Sequence, residues 1–409
     1  MLGQDELGMA GITGVYYLVF GAIGYGLNNG LQALIARRAG ENRPEEIGKL
    51  FSQGVRVAMM IALIGIIITY FVAPYILRFA LKNETHREII IHFLKIRIWG
   101  LPFLYLYQMR NALLVGTNHS RFLVIGTIAE TVANIVLDYG LIFGRIGLPQ
   151  LGFNGAAVAS IIAEAIGMLV VYAVINLKGL SQRFQLYKHL AFNAETAMLV
   201  LKQSLPLIFQ YAISITSWEF FFILIERNSQ HHYDLAISNM MRNIFGLFGV
   251  ITWAFAATSS TMVSNIIGQK KHDEVKELVW RIVQISTGIS LIICILLNLF
   301  PLAFMRIFSA DTTLLTNAIP VLRVVSVALV MMSFSSVCLN AVTGTGNTKV
   351  NLLIEIVAVI FYTLYVFIVL EWKHFSITWG WASEWIYWTC IFTLSFLYLR
   401  SGKWRHKKI

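Results

Sequence analysis

Runs of about 20 apolar residues recur along this 409-residue chain, separated by short polar segments that hold most of the charge. A hydrocarbon layer about 30 Å thick asks that length of each helix crossing it. Runs such as residues 57–71 and 291–302 are apolar throughout but for Thr69 and Asn298. That excludes a barrel, whose strands alternate inward and outward; helices satisfy their own backbone polar groups inside lipid. The pattern predicts eleven helices, at about 10–36, 46–81, 86–116, 120–143, 153–177, 197–226, 233–267, 273–308, 314–343, 349–371 and 377–399. Several exceed one span, and their ends, as in residues 45–55 and 273–284, read as amphipathic and interfacial. Pro206 falls inside one of them, where a proline kinks a helix and supplies a hinge.

Composition agrees: 57% of residues are hydrophobic and 13% charged, against about 45–50% and 25% in soluble domains. The net charge of +11 would suit nucleic acid, but the basic residues sit in short loops between spans, so no nucleic-acid partner is expected and the bilayer is the partner instead. Alternate connections differ. One set carries Arg37, Arg38, Arg43 and Lys49, later Lys270, Lys271 and Lys276, and finally Arg400, Lys403, Arg405, Lys407 and Lys408. It is roughly three times richer in Lys and Arg than the other set, which places it in the cytoplasm by the positive-inside rule. A multi-pass protein of a bacterial inner (plasma) membrane with a cytoplasmic C-terminus is the expectation. The opening Met1–Glu6 shows no basic region or apolar core of a cleavable signal. Cys294, Cys338 and Cys390 lie inside apolar runs and read as small buried residues, without metal or disulfide spacing.

Shifting the chain by about 228 residues aligns its halves. Residues 40–50 match 268–278, Pro74 and Arg78 fall beside Pro301 and Arg306, Gly116-Thr117 falls on Gly344-Thr345, and Gly152 on Gly380. The expected fold is all-α: a polytopic integral membrane protein with two pseudo-symmetric helical lobes of five and six helices. The lobes span residues 1–178 and 197–409, with a cytoplasmic linker at 179–196. The unequal count reads as a six-plus-six protein whose first helix would precede residue 1. Two lobes of like topology suit a transporter that rocks one against the other.

Ionisable groups at mid-span are costly and mark functional candidates. In the helix at 120–143, Glu130, Asn134 and Asp138 are spaced i, i+4, i+8 and form one stripe among apolar neighbours. Asp138 could load and release a proton. Alternatively, Asp138 and Asn134 could give oxygens to a metal site for Na⁺, a hard cation. Structural hydrogen bonding between helices is the competing role. Further candidates, for the lining of a substrate cavity, are Glu164 in the next helix, Glu219 beside Trp218 in an aromatic run, Glu355, and Glu384 between Trp381 and Trp385. An acid among aromatics attracts organic cations, while pairing with Arg242, Arg281 or Arg323 is the structural alternative. No nucleotide loop, metal pair or catalytic triad is visible, so no enzyme activity and no cofactor is expected.

Four stretches carry a family resemblance: residues 110–118, 134–157 with Asn134-Ile-Val-Leu-Asp138-Tyr, 236–269 from Ala236-Ile-Ser-Asn through Ser264-Asn-Ile-Ile-Gly268-Gln, and 343–348 with Thr-Gly-Thr-Gly-Asn-Thr. The sequence resembles the multidrug and toxic compound extrusion (MATE) family. The resemblance implies two six-helix lobes and export of small drug-like molecules driven by inward H⁺ or Na⁺; a monomer is the expected state. It places Asn134 and Asp138 in a cation site of the N-terminal lobe and Glu219 near an acid of the seventh helix. A further Asp expected from the family's first helix has no counterpart here, and the tenth helix shows Ser333–Asn340 without an Asp, which favours coupling through the N-terminal lobe. The other readings weighed are a lipid-linked oligosaccharide flippase of the same superfamily, which needs a strongly cationic cavity, and an inactive truncated transporter.

Overall fold

The computed structural model describes residues 4–81, 83–189, 191–228 and 233–406. Among them every regular element is helical: α1 Gln4–Gly40, α2 Pro44–Phe71, α3 Ala73–Ala80, α4 Glu84–Arg97, α5 Leu101–Gly116, α6 Leu123–Phe143, α7 Phe153–Leu177, α8 Leu180–Arg183, α9 Ala194–Arg227, α10 Asp234–Gly268, α11 Val275–Leu299, α12 Pro301–Met305, α13 Thr312–Gly344, α14 Thr348–Val366, α15 Ile377–Trp381 and α16 Ser383–Ser401. Short 3₁₀ turns bridge some of these, and a π-helical stretch, Phe367–Trp372, extends α14.

Local chemistry sets the ends. Pro44, Pro74, Pro102 and Pro301 occupy the first turns of α2, α3, α5 and α12, where a missing N–H costs nothing. Asn83 caps α4 by accepting from the His86 N–H at 3.2 Å. Asp311 caps α13 by accepting from the N–H groups of Thr313 (2.9 Å) and Leu314 (3.3 Å). Pro206 and Pro320 lie inside α9 and α13.

The predicted helix at 46–81 breaks at Val72, before Pro74, and that at 86–116 passes through a 3₁₀ turn before Pro102. Ten helices among the described residues are long and apolar enough to cross a membrane. The eleventh expected span, 377–399, is divided at Ala382, and its second part carries Ser383, Glu384, Thr389, Thr393, Ser395 and Arg400, which lower its hydropathy.

The internal repeat reaches the backbone. Outside glycine, positive φ angles are few, yet they recur at the same offset: Asn42 (55°) with Lys270 (64°), and Ile146 (52°) with His374 (51°); Asn118 (63°) falls on Gly346 (88°). Helix crossings repeat as well. A Cβ on Gly116 would meet Ile35 Cγ2 at 2.9 Å and the Gln32 carbonyl at 3.0 Å; on Gly344 it would meet the Ser260 carbonyl at 2.5 Å and Val263 Cβ at 3.0 Å. Both glycines let two helices approach closely through equivalent neighbours.

The chain forms two compact units, Met1–Ile208 and Phe209–Ile409. The division falls inside α9 rather than at the expected linker. Its first turns belong to the N-terminal unit because Gly26 and Gly30 of α1 leave room for the backbone of Ile208 and Ser204. The linker itself is pinned to α2: Ser52 Oγ donates to the His189 carbonyl and Gln53 Nε2 to the Ala191 carbonyl, each at 2.9 Å. In the C-terminal unit the core gathers on α13, whose Val325, Ala328, Met332 and Val337 are fully buried. Cys338 is buried, Cys294 and Cys390 partly so, and all three are free thiols.

Candidate functional site

In the N-terminal unit, α6 packs on α7 and turns an apolar face of Val124, Ile128, Val132, Ile135 and Val136 outward, as a lipid-facing helix does. The polar stripe runs beside that face. Glu130, Asn134 and Asp138 are each half-buried. Glu130 lies against Gly167 of α7, where a Cβ would meet its carboxylate oxygen at 2.9 Å. Asn134 Nδ2 is 3.5 Å from Ser160 Oγ of α7, so Ser160 joins the stripe. Asp138 Oδ1 is wholly shielded from solvent and has no hydrogen-bond partner. A buried acceptor with no donor is costly. Asp138, Asn134 and Ser160 contribute side-chain oxygens along this stretch of α6 and α7; no cluster of three or more His, Cys, Asp or Glu stands among the described residues.

Glu164 is buried and held elsewhere. Arg97 of α4 forks onto its carboxylate: Nη2 reaches Oε1, and Nη1 donates to Oε2 at 2.9 Å. The guanidinium lies 3.7 Å from the centre of the Tyr17 ring, and the Tyr17 hydroxyl points at the same carboxylate from 3.4 Å. A Cβ at Gly100 would collide with both partners of the pair, so the absent side chain makes the pairing feasible. Glu130 is near enough to feel the charges of Arg97 and Glu164. Arg97 and Tyr17 are functional-looking residues that the sequence reading passed over. The rule that flags mid-span acids applies equally to Arg97.

In the C-terminal unit, Glu355 of α14 is fully buried. It accepts from Tyr387 Oη at 2.6 Å, Gln210 Nε2 at 3.3 Å and Ser214 Oγ. Glu384 of α16 is buried too; Trp388 Nε1 donates to Oε2 at 3.0 Å, while Oε1 is unpaired. The hydroxyls of Tyr362 and Ser383 lie beside it and are buried as well. None of the arginines named as partners serves these acids. Arg281 pairs with Glu277, Arg242 stands 4.8 Å over the Phe222 ring, and Arg323 makes no ion pair among the described residues. Glu219 is half-buried with no hydrogen-bond or ion-pair partner among the described residues. Trp218 does not stand free: its ring packs on Phe245 at 5.8 Å and Trp381 at 6.3 Å.

The MatE family model matches residues 1–140 and 206–368. A probable multidrug resistance protein NorM of Synechocystis is 30% identical over 169 residues, 41% of this chain and 36% of that protein. A protein of the same description from Bacillus cereus (strain ATCC 14579) is 24% identical over 279 residues, 68% of this chain and 61% of that protein. The matches thus span about a third to three-fifths of these curated relatives. Among solved structures, an outward-facing multidrug resistance MATE family transporter of the MOP superfamily superposes with a TM-score of 0.89 at 18% identity, covering 98% of this chain and 88% of that one. With most of its length matched by one family model and its fold shared along nearly all of it, the chain belongs to the MatE family, a family of transporters rather than of enzymes.

Proposed function

We propose that this protein is a secondary antiporter that exports small amphipathic or cationic organic compounds in exchange for inward H⁺ or Na⁺. It sits in a bacterial plasma membrane with the basic loops and C-terminus in the cytoplasm. The observation that carries the reading is the buried, unpaired Oδ1 of Asp138 on a stripe shared with Asn134 and Glu130. Binding a proton or Na⁺ there removes an uncompensated charge, and its release restores it; conformations that differ in how well they shelter that charge shift in population accordingly. Glu219, free of protein partners among the described residues, is the acid best placed to attract a cationic substrate by charge and the rings around it. The descriptions of the relatives support the substrate class.

Glu384 supports a second location for the coupling ion. Its Oε1 accepts no well-formed hydrogen bond, although Trp218 stands near the carboxylate, and the hydroxyls of Tyr362 and Ser383 lie alongside. Dye efflux from inverted vesicles, driven separately by pH and Na⁺ gradients, tests both. Asp138→Asn is expected to abolish gradient-driven efflux at unchanged folding, and Glu384→Gln to leave at least half of it. Parental efflux in Asp138→Asn removes that residue from the mechanism; loss only in Glu384→Gln moves coupling to the C-terminal unit.

A further inference from the structure

A cavity of about 190 Å³ opens among α2, α5, α7 and the linker of the N-terminal unit, with Ser52, Arg56, Arg110, Tyr172, Leu186 and Tyr187 in its lining. It has room for several water molecules of about 30 Å³ each. No acid lines it. Arg56 and Arg110 form no ion pair among the described residues; Arg56 Nη1 is shielded from solvent and has no hydrogen-bond partner. Arg110 stacks 5.3 Å over the Tyr172 ring and donates only a 3.3 Å bond to the Leu106 carbonyl one turn back. Two half-buried guanidiniums therefore face one space with most of their donors unspent. Charge of one sign without a partner is what a protein interior avoids, unless a ligand of opposite charge completes it.

The internal repeat supplies a control. The C-terminal unit has an equivalent cavity, lined by Val279, Val283, Cys338 and Arg400 among others. At the offset of about 228 residues, the positions of Arg56 and Arg110 hold Gln284 and Cys338. The basic groups of that second cavity, Lys276 and Arg400, are exposed. The space is thus a property of the shared fold, while the inward arginine pair belongs to the N-terminal unit alone.

We propose that this cavity binds a phosphate group, held by the forks of Arg56 and Arg110. Planar guanidiniums grip phosphate oxygens in pairs, and basic pockets between membrane helices on the cytoplasmic side take anionic headgroups. The apolar share of the lining, Phe51, Val55 and Ile175, suits an acyl chain continuing from the phosphate. Because Leu186 and Tyr187 of the linker roof the site, occupancy also fastens the linker to α2 and α7.

The test is thermal unfolding of the purified full chain in neutral detergent, with phosphatidylglycerol, phosphatidylcholine or 10 mM inorganic phosphate added. Phosphatidylglycerol is expected to raise Tm by on the order of 5 °C, phosphatidylcholine by much less, and Arg56→Gln/Arg110→Gln to lose the shift. Arg145→Gln, an exposed arginine away from the cavity, should keep it. A shift with inorganic phosphate alone identifies the source as a soluble phosphate ester; a shift only with the lipid identifies a headgroup. If the double variant does not fold, the single variants Arg56→Gln and Arg110→Gln carry the comparison. No shift with either phosphate source, or an equal shift in the cavity variants, overturns the proposal.

Discussion

Replacing Glu164 by Gln removes one charge from the pair with Arg97 at nearly constant volume. The two side chains are 9% and 12% exposed, so the guanidinium left behind has little water to turn to. Breaking a buried ion pair from one side costs about 3–5 kcal/mol. Two contacts survive and reduce that figure. The Tyr17 ring at 3.7 Å still faces the cation, worth about 0.5–2 kcal/mol, and the new amide oxygen still accepts one hydrogen bond, worth about 0.5–1.5 kcal/mol. A net loss of about 2–3 kcal/mol follows, or a fall in Tm of on the order of 5–10 °C for units of this size. Tryptophan fluorescence during heating in detergent reads it. Arg97→Met combined with Glu164→Leu should recover most of the loss, because neither charge is then stranded. Tyr17→Phe should cost less than about 1 kcal/mol, since the hydroxyl contact is long at 3.4 Å and the ring remains. A Glu164→Gln protein that melts within about 1 °C of the parent, or a double variant no better than the single, refutes the reasoning.

Gly116→Ala and Gly344→Ala should each destabilise by about 1–3 kcal/mol, because the added methyl enters helix crossings where backbone carbonyls already stand at 3.0 and 2.5 Å; unchanged melting of both would remove the close approach as a requirement of the repeat. His119, in the turn after α5, has its imidazole pushed below its ordinary value by burial, with Arg183 and Arg121 adding to the effect. Folding therefore favours the neutral ring, the unfolded chain takes the proton first, and stability falls as pH drops through about 6.5. The difference in Tm between pH 7.5 and 5.5 should shrink in His119→Gln, and an undiminished difference would assign the acid sensitivity to other groups.

Much of the fold could be read from periodicity alone. Lipid leaves helices little choice once apolar runs reach the thickness of the bilayer, and the two-fold repeat showed in Gly40 and Gly268, Gly116 and Gly344 before any coordinates. What the pattern blurred were breaks within long apolar stretches. Val72 and Ala382 interrupt helices where hydropathy alone gives no warning, although Pro74 was a local signal for the first. The candidate site was legible as chemistry but not as partnership. The stripe of Glu130, Asn134 and Asp138 follows from spacing on one helix, whereas the fate of Glu164 depended on Arg97, 67 residues away, and that of Glu355 on Ser214 and Tyr387.

By itself the sequence determined that this chain lives in a membrane, that it is built twice from one plan, and which charges lie within its spans, because those properties are set by neighbours a few residues apart. Tertiary structure decided which of the charges are already answered. Arg97 reaches Glu164, hydroxyls and an amide reach Glu355, and nothing reaches Asp138 Oδ1 or Arg56 Nη1. Hydrogen bonds act only over about 3 Å, so whether a buried charge is spoken for or open to a ligand is settled by which helices pack together, a matter on which no local pattern bears.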